Sequence, residues 1–391
     1  FAMPDSSVVG LGCSRSKTIK VEASCLRCCK NSVRAFATQH GDGFFVGNGH
    51  GLKRLTVLLP ALLRCVSATL PLALIDVGAG IYFAGGNRPL SDDQLMTHQL
   101  TQTDDSDSLW MLSSFGNRAE VHAFEANAFK AEELAKAAMR RPATTNFSDN
   151  LIVHAEGVGS RPSRSRMERC GFNNTWSVIE GPEPARCKHG RAGSPQEVTV
   201  TSLDAFASTL GGRRILYAKV DVEGSEWSVA DGMDNLLSAQ AIDVLSFEYA
   251  VGWDAMFKKT RPLTILELQR IPRTLHQFQR RMDAFGYDVY LIHAGRHSHV
   301  SLVPVSGDWW QEELEICANR TRFYSRRAAH CWNDLLVVRR CSTCMRRVLF
   351  EHVLPATATD EFIQLHSTAN VEPSMPEALN VDVSCGCKCP W

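Results

Sequence analysis

The stretch that most constrains the fold is residues 215–224, where an apolar strand ends in alternating charged residues. Lys219, Asp221 and Glu223 occupy every second position, and a glycine then breaks the extended pattern. Alternate residues of a strand point to the same face, so these side chains are aimed together from the end of the strand. In an open α/β sheet that end is where ligands bind. Taken alone, the stretch is equally compatible with a solvated polar face.

Composition places the chain among ordinary globular proteins. Of its 391 residues, 44% are hydrophobic and 21% are charged, which is enough to build a sizeable core. Lysine and arginine together number 42, as do aspartate and glutamate, so the formal net charge is zero. A balanced chain lacks the electrostatic footprint of a nucleic-acid-binding protein, and we expect no nucleic-acid partner.

Six further apolar runs have the length of buried strands, and helical patterns separate them. In addition to the strand that begins at Ile215, the sequence predicts strands at Leu72–Asp76, Glu120–Glu125, Leu151–Ala155, Ile242–Glu248, Tyr287–His293 and Asp334–Arg339. Amphipathic helices are predicted around residues 131–138, 225–237 and 271–285. This alternation indicates an α/β fold with a seven-stranded, doubly wound sheet.

Domain boundaries follow from where the alternation holds. Residues 52–341 carry it and form the predicted core domain, with insertions at about 82–117 and 160–195. The first insertion is long and polar, which is typical of a lid or a surface loop. The second is rich in Arg, Gly, Ser and Pro, and we interpret it as an excursion rather than a core element. Residues 1–51 and 342–391 are predicted to be irregular, cysteine-containing extensions.

Most of the 14 cysteines lie near the two ends of the chain. Cys25 with Cys28, and Cys341 with Cys344, have the spacing of zinc half-sites. Disulfides in an oxidising compartment fit the same residues at least as well. The sequence therefore leaves open whether these cysteines bind zinc or form disulfides, and whether the compartment is the cytoplasm or the lumen of the secretory pathway.

One apolar stretch, residues 55–75, approaches the length of a membrane span. Pro60, Arg64 and Pro71 interrupt it, whereas a spanning helix needs about twenty uninterrupted apolar residues. We expect an amphipathic helix followed by a buried strand, with a membrane anchor as the less favoured alternative.

Four predicted strands end in an acid, namely Asp76, Glu125, Asp221 and Glu248. The carboxyl ends of parallel strands meet at one edge of the sheet, so these acids are expected to converge there. Gly78 and Gly80 follow the first strand and let the backbone approach a ligand closely. An acid after the second strand commonly accepts hydrogen bonds from ribose hydroxyls. Together these features favour an adenosine-containing ligand.

The glycine turn differs from the turn of dinucleotide-binding folds. Those folds use Gly-x-Gly-x-x-Gly, in which the third glycine lets the helix pack closely behind the bound pyrophosphate. Here Gly80 is followed by Ile81, Tyr82 and Phe83, so the third glycine is missing. A nicotinamide-dependent oxidoreductase is therefore a disfavoured alternative for this sheet.

In these motifs the sequence resembles the FkbM-type family of S-adenosylmethionine-dependent methyltransferases. The resemblance covers roughly Leu72 to Arg340 and rests on Ile75–Gly80, Val121–Asn127, Ser202–Asp204, Lys219–Glu226 and the trailing Asp231-Gly232. It implies a Rossmann-like class I methyltransferase fold with S-adenosyl-L-methionine as the cofactor. It also implies methyl transfer to a hydroxyl on a sugar, or on another small-molecule or glycan acceptor. The acceptor cannot be read from the sequence.

The resemblance further implies which residues hold the cofactor. They are Asp76, Val77, Gly78, Ala79, Gly80, Phe124, Glu125, Ala126, Glu156, Gly157 and Asp221. Within this set, the turn after the first strand would line the methionine part, Glu125 would hold the ribose, and the Glu156-Gly157 turn would lie near the adenine.

A hydroxyl acceptor needs a general base within hydrogen-bond reach. The candidates are Asp221 first, then Glu223 and Glu248, with His293 behind them. Lys219 is expected to orient one of these carboxylates, and Glu226 is better explained as an acid in the first turn of a helix. No metal ligand is assigned. A catalytically inactive, cofactor-binding scaffold is the alternative function.

Overall fold

The computed structural model describes residues 61, 65, 72–80, 106–140, 148–170, 174–179, 196–222, 225–250, 274–294, 300–307, 332–340 and 343–350. These residues form an eight-stranded mixed sheet with helices on both faces and a four-stranded sheet beside it. The four-stranded sheet is called the small sheet below.

The described elements begin with β1 (Leu72–Val77), α1 (Asp107–Phe115), β2 (Ala119–Phe124), α2 (Ala128–Arg140), β3 (Leu151–His154), β4 (Gly157–Val158), β5 (Ser163–Cys170), β6 (Asn174–Ile179) and β7 (Gln196–Thr201). They continue with α3 (Leu203–Ala207), β8 (Ile215–Val220), α4 (Glu226–Asp231), α5 (Asp234–Ser238), β9 (Ile242–Ala250), α6 (Leu275–Ala284), β10 (Tyr287–Ala294), β11 (Val300–Pro304), β12 (Trp332–Arg339) and α7 (Thr343–Phe350). Short 3-10 turns lie at Gly116–Arg118, Ser148–Asn150 and Ser208–Leu210.

The main sheet has the strand order β11-β10-β12-β9-β8-β1-β2-β3. The five strands from β9 to β3 are parallel to one another. β12 runs antiparallel between β9 and β10, and β11 pairs antiparallel with β10 at the edge. All seven predicted strands belong to this sheet, and β11 adds an eighth. The predicted doubly wound α/β fold is confirmed.

The chain changes direction across the sheet between β1 and β8. β1 pairs with β2 on one side and with β8 on the other, which opens a crevice at the carboxyl ends of these strands. The register places Asp76 of β1 opposite Lys219 of β8 and opposite Ala123 of β2. We call this end of the parallel strands the C-terminal edge, and the opposite end the N-terminal edge.

Helices bury both faces of the main sheet. On one face, α1 and α7 contribute Met111, Leu112, Phe115, Met345 and Leu349, and α2 packs beside α1 against β3 and Ala123 of β2. On the other face, α3 to α6 contribute Leu203, Phe206, Val229, Leu237, Phe278 and Met282. Strands covered on both sides read as near-continuous apolar runs, which explains why they were recognisable in the sequence.

The single helix predicted over residues 225–237 is wrong, because two short helices stand in its place. Gly232 separates α4 from α5, and it lies so close to the backbone of Gly159 that a Cβ would meet that carbonyl oxygen at 2.1 Å. The Asp204 carboxylate then accepts hydrogen bonds from two backbone N–H groups at the start of α5. Asp204 and Gly232, two residues of the family resemblance, therefore have structural roles.

Both predicted insertions contribute to the folded core. From the first, α1 packs Leu109, Met111, Leu112 and Phe115 against the sheet. From the second, β5 and β6 join β7 and β4 in the small sheet, whose order is β4-β7-β5-β6. Residues 163–170 and 174–179 thus form ordered strands, and these lie in the small sheet rather than in the main one. Residues 81–105 lie outside the described part of the chain.

The end of the described chain also packs on the main sheet. α7 buries Met345 and Leu349, and Cys344 forms a disulfide with Cys65, which lies 279 residues earlier. The core therefore extends beyond residue 342, the predicted start of the irregular tail. Cys344 is committed to this disulfide rather than to a zinc half-site. Cys25, Cys28 and Cys341 lie outside the described residues.

The apolar stretch at 55–75 is described only in part. Its last residues begin β1, a fully buried strand, as the sequence predicted. Among the helices that the structure describes, none is both long enough and apolar enough to cross a membrane.

Candidate active site

Lys219 lies among three carboxylates at the C-terminal edge. Its Nζ is 2.8 Å from Asp107 Oδ2, 3.1 Å from Asp221 Oδ2 and 3.7 Å from Asp76 Oδ1. These groups meet because β1 and β8 are neighbours in register and α1 covers the same face of the sheet. One cation cannot neutralise three anions, so this group, which we call the lysine cluster, carries surplus negative charge at neutral pH.

Asp76 is fully buried at the base of the lysine cluster. Ser108 of α1 donates a hydrogen bond of 2.5 Å to its Oδ2, while its Oδ1 has no hydrogen-bond partner among the described residues. Burial raises the pKa of Asp76 to about 6, against the opposing effect of Lys219 and with a further raising effect from Asp107. Asp76 therefore lies beneath the site, and it reaches the surface of the crevice only through Lys219.

Sequence reasoning missed Asp107 and Ser108. Both lie in the first turn of α1, inside the stretch that was interpreted as a lid or loop. The signal that points to this helix is a serine and an aspartate just before the apolar run that starts at Leu109. That signal locates a helix, but it does not show that the helix begins beside β1 and β8.

A second acidic group shares Asp221 with the lysine cluster. Carboxylate oxygens of Asp221, Glu226 and Glu248 lie within 4.8 Å of one another, and we call this set the acid triad. Glu226 is 1% exposed and accepts a hydrogen bond of 3.0 Å from the backbone N–H of Val222, which fixes the turn from β8 into α4. Glu226 is a first-turn helix acid, as predicted, and it also faces the crevice. Oxygen ligands of this kind suit a hard divalent cation.

The turn after β1 is shaped by its contact with β8. Gly78 has a φ of +81°, and a Cβ there would meet the carbonyl oxygen of Asp221 at 1.8 Å, so only glycine fits. The N–H of Asp221 donates to the carbonyl oxygen of Val77 at 3.0 Å. Val77 and Ala79 are buried, whereas a Cβ at Gly80 would meet, among the described residues, only the Gly78 carbonyl oxygen, at 3.9 Å. The described residues therefore leave the backbone at Gly80 open to close approach.

Glu125 follows β2 at the same edge. Its carboxylate Oε1 accepts a hydrogen bond of 2.8 Å from the N–H of Asn127, and burial raises its pKa. Its own N–H donates to the carbonyl oxygen of His154 at 3.0 Å, which ties the end of β2 to β3. Oε2 makes no hydrogen bond with the described residues, so it remains available as an acceptor.

Phe124 points away from Glu125, into the core. It stacks on His154 with ring centroids 4.4 Å apart and meets Phe206 edge to face. His122 lies beside these rings, and burial, with help from neighbouring His154, lowers its pKa to about 4. This aromatic group therefore packs as neutral core, and Phe124 supports the site from below rather than lining it.

Comparison with known proteins agrees with this arrangement. The sequence profile of the methyltransferase FkbM domain matches residues 76–289, more than half of the chain. The chain belongs to the FkbM methyltransferase family. Nothing among curated proteins matches it.

A solved methyltransferase FkbM, from Methylobacillus flagellatus, is similar to this chain at 13% identity, with a TM-score of 0.31. The match covers 79% of this chain and 59% of that chain. The chain therefore spans somewhat more than half the length of that solved FkbM protein.

The remaining predicted residues of this FkbM domain lie in different places. Glu156 is half-buried between β3 and β4, and Gly157 is buried in β4, where it pairs with Val200 of the small sheet. The backbone of His293 lies on β10, three strands from β8 and thus about 14 Å away across the sheet. Glu223 lies outside the described residues. The described candidates that the fold brings together are Lys219, Asp221 and Glu248.

Proposed function

We propose that this FkbM-family protein is an S-adenosylmethionine-dependent methyltransferase that O-methylates a hydroxyl of a sugar within a glycan or another small acceptor. The observation that carries the proposal is the position of the lysine cluster. It lies beside the glycine turn, where the chain changes direction across the sheet, in a protein of a methyltransferase family. Family membership supports methyl transfer, and the chemistry of the residues supports the donor and the hydroxyl acceptor.

Charge is the first respect in which the site fits this donor. S-adenosylmethionine carries a cationic sulfonium and a cationic amino group against one carboxylate, so its net charge is positive and a crevice with surplus negative charge favours it. Asp76, Asp107 and Asp221 share the single Lys219, and the acid triad adds two further carboxylates. The anionic pyrophosphate of a nicotinamide cofactor would be disfavoured at the same place.

Shape and hydrogen bonding are the second respect. Glu125 offers Oε2 to a ribose hydroxyl, because Asn127 holds only Oε1. The open backbone at Gly80 leaves room for a ligand where a side chain would obstruct it. Gly78 is different, because its missing side chain makes room for the backbone of β8. The turn thus fits a cofactor at Gly80 and holds Asp221 in place at Gly78.

When bound, S-adenosylmethionine supplies an activated methyl group, so the protein's task is to orient the acceptor and accept its proton. Asp221 is suited to accept that proton, because its side chain is 22% exposed whereas Asp76 is inaccessible. Lys219 fixes Asp221 through Oδ2, and Asp107 holds Lys219 from the other side. Glu248, half-buried beside Asp221, is the second candidate base.

The Cys65–Cys344 disulfide supports a proposal about the compartment. Disulfides persist in oxidising compartments and are rare in the cytosol. We therefore favour a lumenal or otherwise oxidising location for this protein over the cytoplasm. The check is the mass of the peptides joined at Cys65 and Cys344, isolated without reductant from cells that make the protein. Free thiols at both positions would contradict the proposal.

The cofactor is tested first, by calorimetric titration with S-adenosylhomocysteine of the intact protein and of Glu125→Ala. We expect binding by the intact protein and at least about a tenfold loss in the variant, because a hydrogen bond to a charged acceptor is removed. Glu132→Ala, at an exposed carboxylate on α2, is the matched control and should bind normally. No binding by the intact protein, or displacement of the ligand by NADH, would sink the proposal.

Turnover is tested with Asp221→Asn. We expect transfer of labelled methyl groups into a glycan fraction to fall at least about 100-fold, because the hydroxyl loses its base. The unfolding midpoint should change little, because Asp221 is half-buried at the edge of the site. Asp231→Asn, at the far end of α4, is the control. Retained turnover in Asp221→Asn would remove Asp221 from the role of base.

A further inference from the structure

Three arginines lie close together in the sequence, two on the small sheet and one just before it. Arg164 and Arg166 project from the exposed face of β5, while Met167 of the same strand is buried on the other face. Because they are two residues apart on a strand, their Cα atoms are about 6.8 Å apart. Arg161 is exposed in the bend just before β5. We call these three residues the arginine row.

The arginines of the row differ from five other arginines near the sheet edges in lacking an ion pair with any described residue. Arg213, Arg214, Arg281, Arg339 and Arg340 each lie within ion-pair distance of a carboxylate. No ion pair or hydrogen bond joins a guanidinium of the row to any residue in the described part of the chain. Glu197 of β7 is opposite Arg166 on the same face, yet the two side chains form no ion pair. Among the described residues of this face, the three guanidinium groups of the row therefore outnumber the one carboxylate, that of Glu197.

The arginine row is close to the candidate active site. The N–H of Ser160, next to Arg161, donates to Ser228 Oγ at 3.1 Å. Ser228 is two residues beyond Glu226 on α4, so the residue just before the row contacts the helix that carries one member of the acid triad.

The small sheet also touches the cofactor side of the crevice. Gln196 of β7, which is opposite Met167, donates from Nε2 to the carbonyl oxygen of Ala126 at 3.4 Å. Ala126 is the residue after Glu125. A positively charged face therefore adjoins a negatively charged crevice.

We propose that the arginine row is the docking site for an anionic acceptor, a glycan whose sugar units carry carboxylate, sulfate or phosphate groups. The proposal rests on the proposed function and names the class of its acceptor. Guanidinium groups bind such oxyanions through paired hydrogen bonds. The carboxylates of the C-terminal edge repel the same groups. The positive row and the negative C-terminal edge together orient the glycan. Its anionic groups lie on the small sheet, and an uncharged hydroxyl lies at Asp221.

A glycan fits this face better than a nucleic acid does. The chain has no net charge, whereas nucleic-acid-binding domains are strongly basic. The described side chains of β5 and β7 include no aromatic ring on which a base could stack. They include Thr199, exposed opposite Arg164, which offers a hydroxyl for hydrogen bonds to sugar.

The test measures binding of a heparin-derived octasaccharide, an oligogalacturonate and an uncharged dextran to the intact protein. We expect both anionic sugars to bind, dextran not to bind, and affinity to fall as NaCl rises. The double variant Arg164→Ser/Arg166→Ser should bind about tenfold more weakly, since two exposed ionic contacts are lost. The control is Arg118→Ser/Arg280→Ser, which removes the same charge from exposed positions elsewhere and should bind normally.

Several outcomes would overturn the proposal: no binding of either anionic sugar, equal loss in both double variants, or single-stranded DNA bound as tightly as the sugars at the same salt. Binding of only the sulfated or only the carboxylated sugar supports it and identifies the anion. If the serine variant does not fold, Arg164→Lys/Arg166→Lys replaces it, with a smaller expected loss because charge is kept. Titration with S-adenosylhomocysteine on the same samples separates failure of this proposal from failure of the proposed function.

Discussion

At the N-terminal edge of the main sheet two arginines surround one buried carboxylate, whereas at the C-terminal edge three carboxylates surround one lysine. Asp243 of β9 is fully buried, receives a two-pronged ion pair from Arg214, and has Arg339 Nε 3.1 Å from its Oδ1. The lysine cluster instead leaves Asp76 Oδ1 without a hydrogen bond among the described residues. Both oxygens of the buried carboxylate are thus hydrogen-bonded at the N-terminal edge, where Arg339 Nε lacks a hydrogen bond among the described residues, and one of the two oxygens is hydrogen-bonded at the C-terminal edge.

The difference in how the two buried carboxylates are paired indicates which edge of the sheet has a structural role. A carboxylate buried with both oxygens paired stabilises one arrangement and has nothing left to offer a ligand. Carboxylates that outnumber their cation destabilise the empty protein, and the cost is recovered when a cation binds. We therefore assign a structural role to the N-terminal edge, and the surplus negative charge of the C-terminal edge suits the positively charged cofactor that we propose.

The largest expected effect comes from Asp243→Asn. Two arginines would lose their shared carboxylate, and we expect the free energy of unfolding to fall by about 3 kcal/mol. Urea unfolding measures this, and calorimetry should show unchanged affinity for S-adenosylhomocysteine in the folded fraction. A loss below about 1 kcal/mol would mean that the N-terminal edge is not the structural one.

The opposite sign is expected for Asp76→Asn. The pKa of Asp76 is raised from 3.8 to about 6, so the folded state holds this proton more tightly than the unfolded state does. Stability from this group is therefore greatest below about pH 4 and is lost as pH rises through 6. The variant should be more stable than the wild type at about pH 8, by up to about 2 kcal/mol, and should show no gain at about pH 4. Urea unfolding at both pH values checks this, and destabilisation at the higher pH would contradict it.

A smaller effect, below about 1 kcal/mol, is expected for Asp107→Asn, because Lys219 keeps two other partners. The informative quantity for this variant is the pH dependence of its free energy of unfolding. Asp107 contributes to the raised pKa of Asp76, so its removal should shift the pH-dependent loss of stability to lower pH. The same urea series measures the shift. An unchanged pH profile would show that Asp107 and Asp76 do not interact.

The strands were predictable because each is a short apolar run, and the carboxyl-edge acids followed from which residues ended those runs. Lys219, Asp221 and Glu248 could be predicted because they lie in or just after two neighbouring strands, β8 and β9. Lys219 and Asp221 are two residues apart, the period at which side chains of a strand share a face. Asp107 and Ser108 were not predicted as site residues, because tertiary packing decides where a helix lies relative to a sheet. The local sequence pattern does not encode that packing. β5 was not predicted as a strand, because alternating Ser and Arg residues are also typical of a loop. Its pairing with β7 and the burial of Met167 are visible only in the structure.

β12 has a consequence for how the protein is made. It is the last strand that the structure describes, yet it lies between β9 and β10 and pairs with both. On the ribosome, β9 and β10 emerge first, and each presents a row of unpaired backbone groups to other nascent chains. Translation of residues 332–339 closes that gap. A chain that terminates before this segment keeps two unpaired strand edges in the middle of its sheet. We expect such a chain to bind chaperones or to aggregate.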